Sequence, residues 1–328
     1  MAIFFGYDNQ STQDGSGAQV QRIFAIYSLA KFVGVKYAHH KVIEVDFNPG
    51  DGINTHSEMR DHISKLNDFI RFLDESKPVN PILKSFSFKH IFKFRIFNMI
   101  FFGYKKVESA MRKRDFLYLI SNPYSLIERY PQAYANFINI VPTSSARVFE
   151  EKISIQLHVG RAKVSESHLS DRFTPDDWYL EILDTLISKI TAAGKEYEIL
   201  IHTDVSTEKI WKVPMGANQQ TMKYWKDSGI IDNEGRLELQ DSSVLSGFKK
   251  YQDLSIISNI DPISAWQVMS KADVLLIGKS SFSFVGALLN KKGLVISPIF
   301  WHKGPKSWLT LDRSSEINNY NFEVNRSF

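Results

Sequence analysis

Apolar residues in this 328-residue chain switch repeatedly between short continuous runs and a helical spacing of three and four, from one end to the other. A run of four to eight apolar residues reads as a strand buried on both faces, and a three-and-four spacing reads as a helix that covers such a sheet. Alternating the two forces a parallel sheet, because parallel neighbours need a long crossover and the helix supplies it. In the first half, Ile3 to Tyr7 is a strand, Asp8 to Gly17 a polar loop, Ala18 to Phe32 a helix and Val35 to Ala38 a second strand. Ser57 to Leu73 is a further amphipathic helix, with Met59, Ile63, Leu66, Ile70 and Leu73 on one face, and Phe116 to Ile120 is a strand followed by helical signals through Ile138.

Pro142-Thr-Ser-Ser-Ala is short and polar, and marks a linker. Beyond it, strands at Lys152 to Val159, Tyr197 to His202, Leu254 to Ile257, Val274 to Ile277 and Leu294 to Ile296 alternate with helices at Pro175 to Ile190, Pro262 to Ser270 and Phe282 to Leu289. The expectation is an α/β protein with two Rossmann-like domains, residues 1–145 and 146–328. No internal repeat stands out.

Composition narrows the chemistry. With no cysteine, disulfides, thiolate catalysis and sulfur-ligated metals are excluded. At 43 % hydrophobic and 23 % charged residues, the chain has the make-up of an ordinary folded domain. The nine histidines are scattered, and there is no H-E-x-x-H, no Asp-x-Asp and no G-x-S-x-G, so neither a metal site nor a serine hydrolase is indicated. The N-terminus lacks a basic start with a long apolar run, and no stretch approaches about 20 apolar residues. A cytoplasmic protein, peripheral at the inner face of the membrane, is expected.

In parallel α/β sheets ligands sit beyond the carboxyl ends of strands, which directs attention to the loops there. The first is Asp14-Gly-Ser-Gly-Ala-Gln-Val-Gln-Arg22, a glycine-rich turn into a helix that is neither a Walker loop nor G-x-G-x-x-G. The second is His158-Val-Gly-Arg161-Ala-Lys163, with Glu166, His168 and Asp171 just downstream as the one dense group of general-base candidates. Lys279-Ser-Ser-Phe-Ser-Phe284 offers two hydroxyls at a helix start, where capping a helix and binding an oxyanion use the same groups. The fourth, His202-Thr-Asp204, places an acid at another strand end.

Taken in order, Gly15-Ser-Gly-Ala-Gln19, His158-x-x-Arg161, Asp171-Arg-Phe-Thr-Pro-Asp-Asp-Trp-Tyr179 and Ala272-Asp-Val-Leu-Leu-Ile-Gly-Lys-Ser-Ser-Phe-Ser-Phe284 resemble the fucosyltransferase-like superfamily. That group includes bacterial α-1,2- and α-1,6-fucosyltransferases and the nodulation fucosyltransferase. The resemblance implies a GT-B fold, two Rossmann-like domains with parallel sheets facing each other across a cleft. It also implies inverting, metal-independent glycosyl transfer from a nucleotide-sugar to a glycan or lipid-linked glycan in polysaccharide or lipopolysaccharide assembly. No cofactor is implied beyond the nucleotide-sugar as substrate.

Carried over by position, Arg161 and Ser280 or Ser281 hold the donor diphosphate, with Lys163 beside them. His158 and Asp204 lie by the nucleoside, and Gly15, Gly17 and Gln19 close over the donor from the other domain. Arg161 supports the leaving group and Glu166 or Asp171 is the base; Arg22 and His39 face the acceptor. The sequence departs from the family pattern H-x-R-R-G-D at Gly160, where the family has its first Arg. That removes a charge-assisted contact to the β-phosphate worth about 2 kcal/mol or more. GDP-fucose therefore does not follow from the resemblance, and a non-catalytic glycan- or nucleotide-binding protein of the same fold is the alternative.

Residues 84–114 carry nine Lys/Arg and one acid, Glu108, so that segment holds +8 of a net charge of +4 and the remainder −4. Within it the run Phe86 to Phe102 interleaves cations with phenylalanines, which suits an anionic membrane surface and equally a helix or helix pair with its phenylalanines in a core. No nucleic-acid motif accompanies the basic run, and a nucleic-acid partner is not expected.

Overall fold

Ile3–Tyr7 (β1) is five consecutive buried residues, as expected of a strand covered on both faces. The computed structural model describes residues 2–9, 14–48, 53–73, 77–85, 95–142, 152–161, 164, 169–206, 208–258 and 260–320. The chain groups into two compact units, one of residues 1–45, 62–142 and 301–306, the other of 46–61, 143–300 and 307–328. The expected linker at 142–146 lies, apart from Pro142, outside the described residues.

In the first unit β1 leads into Ser16–Val33 (α1), then Lys36–Ala38 (β2), His56–Phe69 (α2), Ile82–Ser85 (β3), Arg95–Met111 (α3), Phe116–Ile120 (β4), Tyr124–Ile127 (α4) and Tyr134–Ile138 (α5). Residues of α2 up to Asp61 group with the second unit. The sheet runs β2-β1-β4-β3 with every pairing parallel. Helix α1 is apolar nearly all round and correspondingly buried; Phe24 stacks on Phe137 of α5 at 4.1 Å between ring centroids. It ends at Gly34, whose φ of 76° is the left-handed conformation that lets its N–H close the last turn onto Ala30 and Lys31.

The second unit begins at Lys152–Val159 (β5) and continues through Asp176–Ala192 (α6), Glu196–Thr203 (β6), the antiparallel pair Ile210–Lys212 (β7) and Arg236–Glu238 (β8), and Gln219–Asp227 (α7) between those two. Leu254–Ile257 (β9), Pro262–Met269 (α8), Val274–Leu276 (β10), Ser281–Leu289 (α9), Leu294–Pro298 (β11) and Leu309–Leu311 (β12) complete it. Its sheet is ordered β12-β11-β10-β5-β6-β9 and is parallel throughout. The α/β class expected from the sequence, with a parallel sheet in each half, is the fold of the protein.

The core of the second unit joins Ile155, Leu157, Ile199, Ile201 and Val274 of the sheet to Tyr179, Ile182, Leu183 and Leu186 of α6, all 2 % exposed or less. One turn sets the spacing of its later elements. Asn290 donates to the carbonyls of Met269 and Ala272 and accepts from Gly293 N–H at 2.7 Å, tying the end of α9 to the start of β10. A Cβ at position 293 would stand 2.1 Å from the Ala272 carbonyl oxygen, and backbone cannot yield there as a side chain would. Gly293→Ala is therefore expected to cost about 3 kcal/mol, read as a lower urea midpoint at an unchanged slope; an unaltered midpoint would contradict this packing.

Candidate functional site

In the sheet of the second unit, β5, β6 and β9 extend to one side and β10, β11 and β12 to the other. The strand order, read along the unit, is third, second, first, fourth, fifth, sixth, and its reversal point lies between β5 and β10. Connections leave these two strands in opposite directions, so a crevice opens beyond their carboxyl ends. Five of the residues expected from sequence to matter lie there: His158, Arg161, Asp204, Ser280 and Ser281.

His158 is the penultimate residue of β5, is 7 % exposed, and lays its ring 5.1 Å from that of Phe282 in the first turn of α9. Its Nδ1 is buried and has no hydrogen-bond partner among the described residues. Gly160 follows: a Cβ there would lie 3.5 Å from the His158 ring and 4.0 Å from both Asp204 carboxylate oxygens. Asp204, just past β6, accepts the Arg161 backbone N–H at 2.5 Å. Across the crevice, Ser280 caps α9 by accepting the Phe282 N–H at 3.2 Å, and Ser281 opens the helix. Gly278 has no room for a side chain, because a Cβ would stand 2.7 Å from the Tyr179 hydroxyl and 3.3 Å from the His158 carbonyl.

Arg161 sits in the same cluster, in an unexpected role. Its guanidinium is buried, donating to the carbonyls of Gly160 at 2.9 Å and Thr174 at 2.7 Å and to the Asp176 carboxylate at 2.5 Å, and it lies 4.5 Å over the Phe173 ring. Asp176 is in the first turn of α6, where a carboxylate also suits the helix dipole. The charge at the strand end is thus held by a partner fifteen positions on, and the Arg161 side chain ties together Gly160, Phe173, Thr174 and Asp176. In the sequence Thr174, Asp176 and Tyr179 stand out only as part of the Asp171–Tyr179 motif; acids directly after a proline at a helix start are the signal that marks them.

The other candidates lie elsewhere or outside the described residues. Lys163 and Glu166 are among the residues not described, whereas Asp171 is exposed on the turn Ser170–Arg172. Gly15, Gly17, Gln19, Arg22 and His39 belong to the first unit. Gly15 is the N-cap of α1 and Gly17 is buried inside that helix. Gln19 accepts from the Tyr7 hydroxyl and donates both amide hydrogens, to the carbonyls of Asp14 and Glu44, so the side chain acts as a strut between loops. Arg22 pairs with Asp14 at 2.9 Å and lies over the Tyr124 ring, and His39 is half-buried beside Tyr37. Among the described residues no three His, Cys, Asp or Glu side chains converge as a metal site would require.

No protein-family model matches this chain. No curated protein matches it either. Among solved structures it is similar to the E. coli heptosyltransferase WaaC with ADP, at 9 % identity over all of both chains and a TM-score of 0.40. It is similar also to POFUT1 in complex with GDP, at 12 % identity over 95 % of this chain and 99 % of that one, TM-score 0.37. A third is the E. coli ADP-heptose lipopolysaccharide heptosyltransferase II, at 13 % identity over 95 % and 90 %, TM-score 0.37. Likenesses at this level transfer no residue roles.

Burial, reinforced by the Arg161 charge, pushes the His158 imidazole down to about 4. Burial and the neighbouring His158 do the same to His202, also to about 4, and His202 Nε2 faces Gln156 Oε1 at 2.9 Å. Both rings are neutral at pH 7, so the crevice has no imidazolium. The unfolded chain takes up these two protons near the ordinary value of 6.5, before the folded chain does. Their contribution to stability is complete above pH 6.5 and is lost as pH falls toward 4. A loss of a few kcal/mol across that window is expected in urea unfolding, with His158→Gln/His202→Gln giving a shallower slope. Equal slopes would show that these rings are not held neutral.

Proposed function

We propose that the crevice between β5 and β10 holds the diphosphate of a nucleotide-sugar and that the protein is a glycosyltransferase. The observation that carries this reading is the coincidence of the strand reversal with the N-terminus of α9, whose positive dipole end suits a diphosphate. Gly160 keeps the approach open, Ser280 and Ser281 add hydroxyls, Lys279 adds a cation, and the buried His158 Nδ1 supplies one more polar contact. The sequence resemblance to the fucosyltransferase-like superfamily points the same way. In this reading the first unit carries the acceptor, the second the donor, and the two work as the halves of a GT-B enzyme.

The reaction follows from those groups. An acceptor hydroxyl attacks the anomeric carbon from the face opposite the diphosphate, the glycosidic C–O bond to phosphate breaks, and the sugar inverts. The hydroxyl proton passes to a carboxylate of the loop that holds Glu166 and Asp171. Negative charge gathers on the departing diphosphate, which the α9 N-terminus and Lys279 stabilise without a divalent cation. Arg161 acts at one remove, fixing the loop through Gly160, Thr174 and Asp176. A second reading, binding without transfer, draws support from that same pairing of Arg161 and from Gly160 in place of the family's first arginine.

A thermal-shift panel of nucleoside diphosphates and nucleotide-sugars tests the reading, since a ligand that binds only the folded protein raises its melting temperature. At least one diphosphate is expected to stabilise the protein, with EDTA changing nothing. Ser281→Asp is expected to weaken that ligand by about tenfold or more while leaving the unliganded melting temperature unchanged or higher, because an acid repels the diphosphate yet suits a helix start. Sugar release or transfer in the same panel separates an enzyme from a binding protein. No ligand anywhere in the panel, or one indifferent to Ser281→Asp, removes the assignment.

A further inference from the structure

Helix α3 carries its polarity the wrong way round for a helix on a solvated surface. The face turned to the sheet includes Asn98 at 1 % exposure and Ser109 at 0 %, alongside Phe102, which packs edge-on against Phe5 of β1. The outward face presents Ile100, Tyr104, Val107 and Met111, exposed by 63, 66, 57 and 81 %. Their spacing of four, three and four is one continuous helical stripe, about 16 Å long at 1.5 Å per residue. Scattered exposed hydrophobics need no explanation, but an aligned row on the outer face of a helix marks a contact surface.

The charges beside the row select the partner. Arg112, Lys113 and Arg114 follow Met111 directly and are exposed. Glu108, the acid nearest the stripe, is already engaged by Lys105 at 2.7 Å and Arg112 at 3.2 Å. A second copy of this face would bring like cations together, whereas an anionic surface complements them. No helix among the described residues is long and apolar enough to cross a membrane.

We propose that α3 docks the first unit on an anionic lipid bilayer, with Ile100, Tyr104, Val107 and Met111 entering the interface and Arg112, Lys113 and Arg114 among the headgroups. An apolar row together with adjacent cations supplies the two attractions that stable peripheral binding requires. The surface lies within the segment 84–114 that the sequence singles out, on residues 100–114. Of the run Phe86 to Phe102, residues 86–94 lie outside the described residues, and Phe102 belongs to the core. The proposal does not depend on the sugar-transfer reading.

The test is co-sedimentation of the full chain with vesicles of phosphatidylcholine alone and of phosphatidylcholine mixed with phosphatidylglycerol, at low and high salt. Binding is expected to the mixed vesicles, to fall with salt, and to drop by about tenfold or more in Tyr104→Ser/Val107→Ser/Met111→Ser and in Arg112→Glu/Lys113→Glu. The substituted side chains are exposed, so melting temperatures close to that of the parent confirm folding, and the charge variant provides a second route if the first set misfolds. Absence of binding to the anionic vesicles, or binding indifferent to both variants, overturns the proposal. So does self-association of the parent that the stripe variant abolishes without any vesicle binding, which would give the face to a second copy.

Discussion

Strand β5 is hydrogen-bonded to β6 on one side and β10 on the other, and the chain leaves these neighbours in opposite senses. The strand order therefore reverses at β5 and β10, and in parallel α/β sheets ligands sit beyond the carboxyl ends of the strands at such a point. The features of the site lie at that edge. Gly278 is a glycine because Tyr179 donates to the His158 carbonyl across the same gap, leaving no space for a side chain. His158 is buried against Phe282 with Nδ1 unmatched, and α9 begins at the rim with Ser280 as its cap.

Arg161 shows how burial redirects a charge. A guanidinium taken out of water must be paired and hydrogen-bonded or it costs several kcal/mol. Asp176 and two carbonyls meet that need, and the contacts tie the chain just after β5 to the start of α6. Asp204, just past β6, holds the Arg161 backbone N–H. The Arg161 guanidinium is thereby held against the start of α6.

Much of this was legible in the sequence as short apolar or alternating runs separated by helical spacing. The strands at 116–120, 152–159 and 254–257 coincide with their sequence-predicted bounds, and helices α1, α6, α8 and α9 agree to within about two residues. The strands β3, β7, β8 and β12 were not foreseen, because each has three or four residues, too few to display a period, and none is a fully buried apolar run as the equally short β10 is. Of the site, the strand-end loops were legible as places. The partners of Arg161 and Gln19 were not, since ion pairs and struts between distant segments leave no spacing in the sequence. The outward apolar row of α3 was hidden in a segment whose composition fits a core helix as well as an interfacial one, and only the packing of Phe102 on β1 tells the two faces apart.

Hydrogen–deuterium exchange with and without a stabilising nucleoside diphosphate tests most directly whether the β5/β10 crevice is the binding site. Slower exchange is expected at residues 158–161 and 278–284, which together line the gap, with the β7–β8 hairpin unaffected. Protection confined to other parts of the protein, with these two segments unchanged, would contradict it.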